Sequence, residues 1–194
     1  NRGIIKGEQL QDFVNRAVGN RPIEKLGKSF AVVATDLQSG EMVVFRRGNT
    51  GQAVRASSSV PGVFQPVSIS GKEYVDGGLV SPVPVKVAKS LGADIVIAVD
   101  IGAKPRHGKV KDTIDVLLQT FSIMGQSISS HELNLADVVI RPDTGVIGAT
   151  DFESRHLAIL EGEKAAQEAV PLIRARIRQF MAPALDEPAR VSGK

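Results

Sequence analysis

The run ADIVIAVDI, Ala93–Ile101, is apolar almost throughout and lacks any regular alternation with polar residues. A strand of that kind is expected to be buried on both faces, as in a parallel sheet covered by helices. Its flanks agree. VPVKVAKSLG before it has helical spacing, with Pro84 in the first turn and Gly92 as the cap. After it, Asp112–Leu135 places Ile114, Leu117, Leu118, Phe121, Met124 and Ile128 on one helical face. DVVI is another short buried strand. Glu153–Met181 is a long helix with Ala166, Val170, Ile173, Ile177 and Phe180 on one stripe, and Pro171 is expected to kink it. Helix and buried strand thus alternate from Val83 onward, which defines an α/β class with a largely parallel sheet.

The first half is built from shorter pieces. Leu10, Phe13, Val14, Ala17 and Val18 mark an amphipathic helix over Glu8–Val18, ended by Gly19. FAVVATDL, Phe30–Leu37, is a strand-length apolar run, also expected to be buried on two faces. EMVVFRR pairs with it across Gln38-Ser39-Gly40. TGQAVRASSS forms a short helix before Pro61-Gly62, and PVSIS and KEYVD make a second hairpin around Gly71. There is no internal repeat, and the last residues, from Ala182, read as a tail or linker.

Composition removes several chemistries. With no cysteine among 194 residues, thiol catalysis, disulfides and cysteine-ligated zinc are excluded. The net charge of +3 and the 4% aromatic content point away from nucleic acid. His131-Glu132 begins like a zinc-protease helix, but Leu135 stands where the second histidine belongs, and His107 and His156 are remote, so no metal is expected. No phosphate-cradling P-loop occurs. Asp100 and Gly102 in VIAVDIG leave a weak nucleotide-binding reading open, since no glycine fingerprint precedes them. Ser57, Ser58 and Ser59 are flanked by Ala56 and Val60 rather than by the glycines of a nucleophile elbow. Their hydroxyls are expected to cap local backbone.

Asp76 is harder to dismiss. It ends an apolar strand on a double-glycine turn, Gly77-Gly78, and a loop with Pro82 and Pro84 follows instead of a returning strand. VRASSSVPGVFQPV, YVDGGLVSPVPV and SLGADIVIAVDIG occur in that order with short spacers.

This ordered set resembles the patatin-like phospholipases, a family of serine acyl hydrolases, and bacterial members in particular. The resemblance implies a three-layer α/β/α domain with a mainly parallel central sheet. It further implies a Ser-Asp catalytic dyad in which Asp76, within the motif Asp76-Gly77-Gly78, accepts the proton of a serine held in G-x-S-x-G. No cofactor or metal is needed. Neither the G-x-S-x-G motif nor a glycine-rich oxyanion loop is found in these residues. The expectation is therefore that residues 1–181 are the C-terminal portion of the domain, with 182–194 a tail, and that the serine lies in sequence upstream. The alternative is a non-catalytic lipid-binding or regulatory domain of the same fold.

The expected partners are a phospholipid or other acyl-ester lipid, a membrane surface engaged peripherally, and the N-terminal part of the same domain, and the resemblance leaves room for a second copy in a homo-oligomer. Arg174, Arg176 and Arg178 suit an anionic lipid surface, or simply a solvated helix face. The resemblance leaves the compartment open: cytoplasmic, peripheral to a membrane, or secreted ahead of a translocating barrel.

Overall fold

Two hairpins set the frame. In the computed structural model, which describes residues 5–102, 113–144 and 153–182, β1 (Val32–Asp36) and β2 (Met42–Phe45) pair antiparallel, with Val33 opposite Val44. β3 (Val67–Ile69) and β4 (Lys72–Asp76) form the second hairpin, with Val67 opposite Tyr74. Its two-residue loop, Ser70-Gly71, has positive φ at both positions, the arrangement that matches the twist of the flanking strands. β1 and β4 then join antiparallel, Ala34 opposite Asp76, to give a four-stranded sheet in the order β2-β1-β4-β3.

Helix α1 (Glu8–Ala17) forms where the periodicity predicts it, and helix α2 (Thr50–Ser57) forms ahead of Pro61-Gly62 as expected. Asn49 caps α2 by accepting the Gln52 N–H at 2.7 Å. α2 lies against β1, and Ala34, Ala56, Val67 and Tyr74 are buried together, with Val43, Phe45 and Ile69 packed around them. The Phe45 and Tyr74 rings meet edge to face with centroids 5.0 Å apart. α1 and α2 touch at Gly51, whose N–H donates to Asn15 Oδ1 at 2.8 Å. Every residue of β1 is buried, as its apolar run predicts. Phe13 on α1 is exposed, although the periodicity assigned it to the covered face.

The described residues fall into two compact units. One is drawn from Asn1–Val87 and Gly102–Leu135, the other from Ala88–Ile101 and Ala136–Lys194. The first holds the four-stranded sheet, α1, α2 and the long helix α4 (Thr113–Leu133). Between its sheet residues and the second unit's strands, the chain forms α3 (Val85–Ser90). In the second unit, β5 (Ile97–Val99) and β6 (Val138–Ile140) pair parallel, and α5 (Arg155–Met181) contacts β6.

The α/β content is as expected, and the strand pairing refines it. Among the described residues β5–β6 is the parallel strand pair and Ile5 and Phe64 form an isolated parallel bridge, whereas the earlier strands arrive as hairpins and join antiparallel. β5 also departs from its expected burial: Val96 and Ala98 are covered, while Ile97 and Val99 are 42% and 52% exposed. An apolar run states what a strand can bury, whereas the layers around it decide what it does bury. The stripe on α5 likewise contributes no buried residue, and its helix continues unbroken through Pro171. His107, Asp112, the Ile114 side chain and residues 183–194 of the tail lie outside the described residues.

Candidate active site

Asp76 is the last residue of β4, and its backbone is held from three directions. Its N–H donates to Ser59 O at 3.1 Å, at the end of α2. Its carbonyl accepts the Thr35 hydroxyl at 2.7 Å, from β1. Its position opposite Ala34 completes the ladder. The chain then turns at once into a 3-10 turn, Gly77–Leu79, and the Gly78 N–H donates to Asp76 Oδ1 at 2.7 Å.

Gly77 has a steric reason to be glycine. A Cβ there would stand 2.2 Å from Val33 O, a backbone atom that cannot swing aside. The double glycine therefore lets the turn press against β1, which is how the carboxylate comes to sit beside the sheet instead of projecting beyond it.

The carboxylate borders a cavity of about 410 Å³. Phe30, Val32, Val33, Val54, Pro82 and Pro84 give it largely apolar walls, and Ser57 and Ser81 add hydroxyls. Burial pushes the Asp76 carboxyl above its ordinary range, with the Gly78 N–H pulling the other way. Asp36, at the end of β1, shows the reverse. Ser39 and Gln38 N–H groups donate to its carboxylate at 3.2 and 2.9 Å, Lys72 approaches at 3.3 Å, and its pKa is held down by those bonds. Asp36 is thus committed to closing a hairpin, while Asp76 faces a space that a substrate can enter.

The antiparallel join has one consequence for the site. Asp76 stands at the carboxyl end of β4, but the β1 residues beside the cavity, Val32 and Val33, come from that strand's amino end.

The serine cluster separates into three roles. Ser59 is buried and donates to Arg55 O at 2.7 Å, the local capping that its surroundings predict. Ser58 is the C-cap of α2. Ser57 lies on the cavity wall with Asp76, a placement that the local sequence does not signal. Ser81 was also missed, since nothing marks it in the sequence except its place in the proline-rich loop. Asp100 pairs with Arg141 at 3.4 Å, and His131 Nδ1 donates to Ser127 O at 2.9 Å. Among the described residues no three His, Asp or Glu side chains gather in a way that would hold a metal ion, and no helix is long and apolar enough to cross a membrane.

Comparison with known proteins finds likenesses that cover part of the chain. Residues 1–89 match the family model described as patatin-like phospholipase. An uncharacterized NTE family protein of Mycobacterium tuberculosis is 39% identical over 99 residues, covering 51% of this chain and 28% of that protein. A second one from the same organism is 28% identical over 192 residues, covering 86% of this chain and 33% of that protein. Patatin-like phospholipase domain-containing protein 7 of Mus musculus is 31% identical over 103 residues, covering 52% of this chain and 8% of the mouse protein. The chain therefore spans about a third or less of the length of these curated relatives.

Proposed function

We propose that this chain, whose residues 1–89 match the patatin-like phospholipase family model, is a member of that family and supplies the general base of a serine lipid acyl hydrolase. The observation that carries this reading is the Asp76 carboxylate, raised in pKa by burial and set on the wall of an apolar cavity. A base works best when its pKa approaches the working pH, and burial moves Asp76 in that direction.

In the reaction, a serine Oγ transfers its proton to Asp76 and attacks the acyl carbonyl of the lipid. The tetrahedral intermediate collapses, the alcohol leaves with the proton held on Asp76, and an acyl-serine remains. Water then attacks the acyl-serine as it gives a proton to Asp76, and the acyl–Oγ bond breaks as Asp76 returns that proton to the serine oxygen, releasing the fatty acid. The apolar walls suit an acyl chain, and action on lipid aggregates implies work at a membrane surface.

The nucleophile is assigned to a G-x-S-x-G serine outside these residues, because Ser57, Ser58 and Ser59 lack that motif. The test is labelling with a fluorophosphonate, followed by mapping of the adduct. The 194 residues alone are expected to give no adduct and no ester hydrolysis above background. The protein carrying the upstream sequence is expected to label once, at the upstream serine, and to hydrolyse phospholipid. An adduct on Ser57, or a catalytically silent longer protein, would overturn the assignment. The second outcome would favour the lipid-binding domain.

A further inference from the structure

Glu132 is a buried carboxylate that the proposed hydrolysis does not use. It stands in the last turn of α4 and is 8% exposed. Ser81 Oγ donates to its Oε1 at 2.9 Å, and the Lys86 backbone N–H donates to its Oε2 at 3.4 Å. A carboxylate removed from water is destabilising unless donors replace the water. This one takes both donors from the segment that follows the Asp76 turn.

That segment needs an outside anchor. Pro82 and Pro84 have no N–H, so half of the residues between Ser81 and Lys86 can donate nothing to hold the loop in place. Ser81 is also linked back to the turn, because its N–H donates to Gly77 O at 2.9 Å. Ser81, Pro82 and Pro84 line the same cavity as Asp76 and Gly77. A chain of bonds thus runs from Glu132 through Ser81 to the carbonyl of the residue next to Asp76.

We propose that Glu132 is a positioning residue: by gripping Ser81 and the Lys86 amide it fixes the loop that walls the cavity and holds the Asp76 turn in place. The proposal rests on the reading of Asp76 as the base, and its test separates the two.

Four variants suffice: Glu132→Ala, Glu132→Gln, Ser81→Ala and Asp76→Asn. Glutamine can accept the Lys86 N–H and donate to Ser81 Oγ, so Glu132→Gln restores the grip without the charge. In the active protein, Glu132→Ala and Ser81→Ala are expected to lower kcat about 10-fold to 10²-fold with KM little changed, the effect of a displaced catalytic group. Glu132→Gln is expected to recover most of that loss. If Ser81 and Glu132 were instead a nucleophile and its base, Glu132→Gln would fail as badly as Glu132→Ala and fluorophosphonate would label Ser81. Either result overturns the proposal.

A second readout needs no activity. Burial and the Gly78 N–H are the influences on Asp76 titration, with no charged side chain contributing among the described residues, and burial is the larger. Loosening the loop admits water, so the Asp76 carboxyl followed by carbon NMR should titrate at lower pH in Glu132→Ala and Ser81→Ala, and as the parent does in Glu132→Gln. An unchanged Asp76 titration in Ser81→Ala, or in a folded Glu132→Ala, overturns the positioning role whatever Asp76→Asn does. Full turnover in Asp76→Asn removes the base assignment and leaves the titration result standing.

Discussion

The Gly78 N–H donates to Asp76 Oδ1 at 2.7 Å, so the turn that buries this carboxylate also gives it a hydrogen bond. The two effects oppose each other, and burial is the larger. A general base must be ionised, so hydrolysis should rise as pH passes through the raised Asp76 pKa. The acid limb of kcat/KM is therefore expected above the ordinary carboxylate range. A pH–rate profile measures it, and a limb at or below the reference value of 3.8 would show that another group is being titrated.

Asp76→Asn keeps the size and the acceptor for Gly78 but removes the base. Ester hydrolysis should fall by ~10²–10⁴. Stability should move the other way. Because folding raises this pKa, its favourable contribution is complete below the unfolded value and is lost as pH rises through the folded one. At neutral pH the buried anion is a liability, so the asparagine variant should be at least as stable as the parent there, and the advantage should vanish in acid. Urea melts at the two pH values decide it, and a variant clearly less stable at neutral pH refutes this account.

Asp36 provides the control of opposite sign. Folding lowers its pKa, chiefly through the Ser39 and Gln38 N–H groups. That contribution is present above the unfolded pKa and is lost as pH falls through the folded one. Asp36→Ala should therefore destabilise the chain at neutral pH, with a penalty that shrinks in acid, while the folded fraction keeps its turnover. A pH-independent penalty would mean that the side chain acts by packing alone.

Gly77→Ala and Gly51→Ala make a matched pair. At each site a Cβ would stand 2.2 Å from a backbone carbonyl oxygen, that of Val33 beside Gly77 and that of Gln11 beside Gly51. Overpacking of this kind costs about 1–3 kcal/mol, measurable as a lowered urea midpoint. Only the Gly77 change moves the Asp76 turn. Turnover per folded molecule should fall for Gly77→Ala and hold for Gly51→Ala, and equal turnover in the two variants would detach the turn geometry from catalysis.

Much of this protein is legible without coordinates because its signals are local. The Ser70-Gly71 hairpin, the α2 helix ahead of Pro61-Gly62, and the Asp76-Gly77-Gly78 turn each follow from backbone preferences spanning a few residues. Local preference suffices for these, and for the identity of the carboxylate on the turn. What it left open depends on which elements meet. Periodicity is blind to the direction in which β1 joins β4, and that join brings the amino end of β1 to the site. An apolar run likewise does not reveal that Ile97 and Val99 stay exposed. Ser81 and Glu132 are 51 residues apart and carry no motif, so only the tertiary packing of α4 onto the loop makes them partners. Hydrogen bonds between distant residues are chosen by the layers that bring them together, and no local preference along the chain encodes that choice.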